Sequence, residues 1–126
     1  MTQPPLSANL AIAAIQQQCS ADKDTSLATS ERLVRQAAAD GAQLVVLQEL
    51  HATLYFCQTE DTTVFELAEP IPGPTSRRLS ALAAELGIVL VGSIFERRMN
   101  GVYHNTAVVF ERDGTIAGLY RKMHIP

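Results

Sequence analysis

The chain has 126 residues, 47% of them hydrophobic and 18% charged, with a net charge of −3. That is enough for one ordinary domain with a sizeable core and too little for two. The mildly acidic, mixed-sign balance argues against a surface that replaces phosphate counterions on nucleic acid. The apolar run Ile88 to Phe95 is under half of the roughly 20 residues that a membrane span needs.

Residues 1–8, "MTQPPLSA", are polar and proline-bearing and predict a loose lead-in. No basic residue precedes the short apolar run Leu10 to Ile15, so the start does not read as a signal peptide. "NLAIAAIQQ" (Asn9 to Gln17) is nearly continuous in apolar residues, which predicts a strand buried on both faces. A helix follows, capped by Asp22 or Asp24, with Leu27, Glu31, Val34 and Ala38 on one stripe and Gly41 closing it. Gln43 to Gln48 is a second buried strand, so the opening is a parallel strand–helix–strand crossover. "TEDTTVFELAE" holds a short helix, and "EPIPGPTS" is a loop. Thr75 or Ser76 caps the next helix, whose apolar residues Leu79, Leu82, Ala83 and Leu86 fall at i, i+3, i+4 and i+7 before Gly87. "IVLVGSIFE" is a third buried strand. Turn signals at Asn100-Gly101 and Asp113-Gly114 frame two further strands, "VYHNTAVVFE" and "TIAGLYRK". The order is an α/β sheet that ends in antiparallel hairpins.

Two residues stand out chemically. Glu49 follows the apolar run Leu44 to Leu47, at the C-terminal end of a predicted strand, the edge where open α/β sheets bind ligands. Partial shielding there is expected to raise its proton affinity, as suits a general base. Lys122 ends the last strand, after Tyr120 and Arg121. An ammonium there can stabilise an oxyanion formed by attack on a carbonyl, although a lone lysine more often is a solvated one. His51, two residues after Glu49, would share its face if the strand continued; His104 and His124 lie far along the chain, and no metal site is expected from the three. Cys19 and Cys57 form no C-x-x-C pair and no zinc spacing. They read as reduced, buried structural thiols of a cytoplasmic protein.

Three stretches carry a family resemblance: "LVVLQEL", "GPTSRRLSALAAELGIVLVGSIFER" and "HNTAVVFERDGTIAGLYRKMHIP". From about Leu10 to Pro126 the chain resembles the nitrilase or carbon-nitrogen hydrolase superfamily. Within it, "LYFCQTED" and "YRKMHIP" are most similar to N-carbamoylputrescine amidases. The resemblance implies a four-layer α-β-β-α sandwich, of which residues 9–126 supply the N-terminal part. It implies hydrolysis of a small carbamoyl-amine by a glutamate, a lysine and a cysteine, with no cofactor and no metal, in a homo-oligomer. Glu49 matches the glutamate and Lys122 the lysine. The nucleophilic cysteine of the pattern follows the lysine, and neither Cys19 nor Cys57 matches it, so the 126 residues by themselves are expected to be inactive. β-Ureidopropionases and other carbon-nitrogen hydrolases share much of the pattern and are the alternative within the superfamily. Two other readings are a truncated, non-catalytic homologue serving binding or assembly, and an unrelated α/β metabolite-binding domain. The second has no glycine-rich phosphate loop, since "PGPTS" lacks the P-loop lysine.

Overall fold

The structure, a computed structural model, describes residues 9–125; the expected lead-in 1–8 lies outside them. Five strands form one sheet in the order β1 (Ile12–Ala14), β2 (Leu44–Val46), β3 (Val89–Met99), β4 (Val102–Phe110) and β5 (Ile116–Arg121). β1, β2 and β3 are mutually parallel, and β3–β4–β5 is an antiparallel meander. Helices α1 (Lys23–Ala39) and α2 (Pro74–Leu86) make the two crossovers, and residues Thr62–Leu67 form a 3-10 turn between β2 and α2. No helix among the described residues is long and apolar enough to cross a membrane.

Both helices lie on one face. The core beneath them unites Val34 of α1, Leu79, Leu82 and Ala83 of α2, and Val45, Leu90, Ile94, Val108 and Phe110 of the sheet. Along β3 burial alternates strictly from Val89 to Glu96, as a strand with one covered face requires. The expected burial of the first strand on both faces is therefore not met. β1 is a three-residue edge strand, and Ile12 is 61% exposed. A continuous apolar run predicts cover on both sides, but in these residues only the helical side has it. Tyr120 on β5 is 60% exposed on the same open face.

The α1 cap is Asp22, whose carboxylate accepts from Thr25 N–H and Oγ1. α2 differs from expectation. Its cap is Gly73, with Pro74 at the first helical position, while Ser76 sits one turn in and its Oγ accepts from Gly73 N–H at 2.7 Å. A Cβ at Gly73 would come within 2.2 Å of the Pro70 carbonyl oxygen, which explains the glycine. Thr75 does not cap: its N–H donates to Glu69 Oε1 at 2.7 Å and its hydroxyl donates to Oε2.

Two carboxylates are buried against the helical side. Glu96 takes a bidentate pair from Arg121, at 2.8 and 2.9 Å, and a hydrogen bond from Thr106. Glu69 takes Lys23 Nζ at 2.9 Å besides Thr75. The Arg121 guanidinium holds the Glu96 carboxyl below its ordinary value. Burial works to raise Glu69, but the donors from Thr75 and Lys23 outweigh it and its pKa is lowered as well. A carboxyl depressed by folding stabilises the native state above its unfolded pKa and loses that stabilisation as pH falls through the folded value. The urea midpoint is accordingly expected to be flat near neutrality and to drop below about pH 4.5. Glu96→Gln and Glu69→Gln should each flatten that drop, as urea titrations across the acid range will show.

Candidate active site

Strand direction brings the site together. β2, β3 and β5 all run the same way, so their C-terminal ends open at one edge of the sheet. Glu49 leaves β2 at that edge and Lys122 leaves β5 there. Three inter-strand steps, about 14 Å, separate the two strands. The gap closes because the chain turns sharply after Glu49: Leu50 has φ 52°, a left-handed conformation that is costly for a branched side chain. Its N–H donates to Ser93 Oγ of β3 at 2.9 Å. Glu49 then meets Lys122, with Nζ donating to Oε1 at 2.8 Å.

Lys122 faces this way because its neighbour faces the other. Side chains alternate along a strand, and Arg121 is committed to Glu96 on the helical side. Lys122 is thereby left on the open face, where its N–H also donates to the Asn105 carbonyl at 2.9 Å. Asn105 Nδ2 donates to Glu49 Oε1 at 2.6 Å.

The expectation that shielding raises the proton affinity of Glu49 is not met. Its side chain is 43% exposed, and the Lys122 ammonium, with help from Asn105, holds the carboxyl below its ordinary value. Glu49 in turn raises the Lys122 pKa. Both groups are therefore charged at neutral pH, which leaves Glu49 able to accept a proton.

The pair forms one rim of a cavity of about 280 Å³. Its apolar wall is a cluster of four rings: Phe56 and Phe65 pack on Phe95, and Tyr103 packs on Phe65 and Phe95, with centroids 4.4 to 6.1 Å apart. Cys57 also lines this cavity and is exposed, beside the Tyr55 hydroxyl. That corrects the expectation of a buried thiol. The aromatic neighbours Tyr55 and Phe56 suggested a core strand, but the segment is a surface loop whose rings wall the cavity. Cys19 is half-buried, its thiol donating to the His51 carbonyl at 3.2 Å while burial pushes its pKa up.

His51 does not share the face of Glu49, because the strand ends before it. Its ring is fully buried, Nδ1 lies 3.2 Å from Ser30 Oγ, and burial pushes its pKa down to about 4. His104 sits on β4 and His124 beyond β5. Among the described residues no group of three or more His, Cys, Asp or Glu is arranged to hold a metal ion. Sequence reasoning missed Asn105 and Ser93. Their signal was polarity at alternate positions of otherwise apolar strands, on the face away from the core.

The fold is an α/β sheet with a carboxylate–ammonium pair at one edge, and comparison with known proteins gives it a family. Residues 11–126 match the carbon-nitrogen hydrolase family, and the chain belongs to it. It is 47% identical over 116 residues to an N-carbamoylputrescine amidase of Solanum lycopersicum, covering 91% of this chain and 38% of that protein. A citrullinase of Francisella tularensis is 38% identical over 120 residues, covering 94% of this chain and 42% of the other. The crystal structure of a carbon-nitrogen hydrolase from Helicobacter pylori superposes with a TM-score of 0.85 at 44% identity, covering 90% of this chain and 40% of that one. The fold is that of the N-terminal part of these enzymes, and the chain spans about two fifths of the length of the curated relatives it matches.

Proposed function

We propose that this chain carries the general base and the oxyanion-stabilising cation of an enzyme that hydrolyses the carbamoyl C–N bond of an N-carbamoyl alkylamine, N-carbamoylputrescine first among them. The observation that carries the reading is the 2.8 Å pair of Glu49 and Lys122 on the rim of an aromatic-walled cavity. On this reading residues 9–126 are the N-terminal part of the catalytic domain, and the nucleophilic cysteine of the family pattern lies C-terminal to Lys122.

The steps follow from the two groups. The cysteine thiol gives its proton to Glu49 as sulfur bonds to the carbamoyl carbon. The carbonyl pair moves onto oxygen, where the Lys122 ammonium meets it; lysine has three donors, so one can stay on Glu49. The C–N bond then breaks, and the amine leaves with the proton returned by Glu49. Water deprotonated by Glu49 displaces the thiolate, and the carbamic acid released falls to carbon dioxide and ammonia.

Two observations support the substrate class. The names of the two relatives denote substrates with a ureido group on a short alkyl chain. Within the described lining the lysine is already engaged by Glu49 and there is no arginine, whereas four ring faces favour methylenes or an alkylammonium. Release of putrescine would place the reaction in polyamine biosynthesis. The homo-oligomer implied by the resemblance belongs to the same proposal.

The test is an assay of ammonia release from carbamoyl-diamines, carbamoyl-amino acids and plain ω-amides side by side, with the 126 residues alone and within any longer reading frame that contains them. Preference for carbamoyl-diamines in the longer frame, and none in the 126 residues, is the expected result. Turnover by the 126 residues that Cys57→Ala abolishes would instead make Cys57 the nucleophile. Preference for plain amides would overturn the ureido reading.

A further inference from the structure

The Glu49 carboxylate has two oxygens, and the structure treats them differently. Lys122 Nζ and Asn105 Nδ2 both donate to Oε1, at 2.8 and 2.6 Å. Among the described residues no hydrogen bond reaches Oε2. A carboxylate offers about four lone-pair sites, so two donors sharing one oxygen is a choice imposed by the surroundings.

The surroundings that impose it form a closed path. Leu50, the residue after Glu49, donates its N–H to Ser93 Oγ at 2.9 Å. With that lone pair taken, the Ser93 hydroxyl hydrogen is free to point toward Asn105 Oδ1, 3.5 Å away, longer than an ordinary hydrogen bond. The oxygen end of the Asn105 amide therefore faces Ser93, and its NH₂ end faces Glu49. The reversed amide would set oxygen against carboxylate oxygen. Asn105 also holds the other partner, through its main-chain carbonyl on Lys122 N–H at 2.9 Å. One residue of β4 thus touches both members of the pair, by its side chain on one and its backbone on the other.

We infer that Asn105, oriented by Ser93, is a positioning residue that divides the Glu49 carboxylate into a held oxygen, Oε1, and a proton-accepting oxygen, Oε2. This rests on the reading of Glu49 as the base. Lys122 alone could swing Glu49 about its own flexible stem and pair with either oxygen. The rigid amide on a strand cannot, and it fixes which lone pair faces the incoming proton. The left-handed Leu50 is part of the same device, since it delivers the N–H that starts the path.

The experiment is carbon-13 NMR titration of the Glu49 carboxyl in the purified 126-residue protein, together with kinetics of the catalytically competent longer frame. The other titratable groups that line the cavity with Glu49 are Lys122, Tyr55, Cys57 and His104. Asn105→Ala should move the Glu49 midpoint upward, and Ser93→Ala should move it the same way by less. In the kinetics kcat should fall about tenfold with KM within about twofold, and the acid limb of the profile should shift upward. If Asn105→Ala loses its native amide dispersion, Ser93→Ala, which removes one hydroxyl, decides. A Glu49 midpoint unmoved by either substitution, while Lys122→Met moves it, would overturn the inference. An NMR shift as expected, with no ureido substrate hydrolysed, would sink the proposed function and leave the positioning role standing.

Discussion

Lys122→Met is expected to reduce turnover of the complete enzyme by about 10²- to 10³-fold, the usual cost of one oxyanion donor. Methionine keeps the length of the side chain and removes the charge. Two effects add. The oxygen that becomes negative during attack loses its facing ammonium. Glu49 also loses the largest influence on its proton affinity, since the Lys122 hydrogen bond leads the list of causes that lower it. The sign follows: a base works when deprotonated, so its rate appears above its pKa. Without Lys122 that pKa rises, and the acid limb of kcat/KM moves to higher pH. Glu49→Gln removes the proton acceptor altogether, and a loss of about 10²- to 10⁴-fold with no acid limb is the expected outcome. A pH–rate series on the three proteins checks both statements. An acid limb unmoved by Lys122→Met would show that Glu49 does not titrate in it.

The second large effect concerns stability. Leu79 of α2 is fully buried and presses onto the sheet at Gly92: a Cβ built there would meet Leu79 Cδ1 at 2.5 Å, with His51 Nε2 and Phe110 at ordinary contact. Leu79→Ala empties that space and should cost about 2–5 kcal/mol. Gly92→Ala overfills it and should cost about 1–3 kcal/mol. The double substitution places the new methyl where the leucine was, so its cost should fall clearly short of the sum. Urea denaturation of the four proteins measures the coupling. Additive costs would mean that α2 shifts away from β3 in the single variants and that the contact is not tight.

How much of this could be read from the residues differs by element. The α2 stripe and the two hairpin turns were legible because periodicity and turn chemistry are local. Glu49 was legible by position, at the end of an apolar run. The direction of its pKa was not, because the cause is a lysine 73 residues away in the chain. Burial of β1 was misjudged because an apolar run reports what a strand needs and not what covers it. The α2 cap was misplaced because Thr75 is a good capping residue already taken by Glu69. Cys57 was misjudged because aromatic neighbours suit a core strand and a cavity wall equally well.

The last hairpin has a consequence for how its length can vary among relatives. Pairing of β4 with β5 runs evenly from Thr106–Arg121 to Val109–Gly118, then shifts by one at Phe110–Ile116, so that Ala117 is the extra residue of a bulge. On the far side of the bulge every position has a fixed parity: Leu119 and Arg121 to the helices, Gly118, Tyr120 and Lys122 to the open face. One residue gained between Gly118 and Arg121 would carry the arginine to the position of Lys122, and one residue lost there would carry the lysine to the position of Arg121. In the first case arginine would meet Glu49; in the second lysine would meet Glu96 without a bidentate fork. One residue gained or lost at Ala117 changes only the bulge and leaves the parity intact. The bulge at Ala117 is therefore the place where a single residue can be gained or lost without changing that parity, whereas the turn before it is held by Gly114 against Ser80 and the five residues after it are closed to single insertions and deletions.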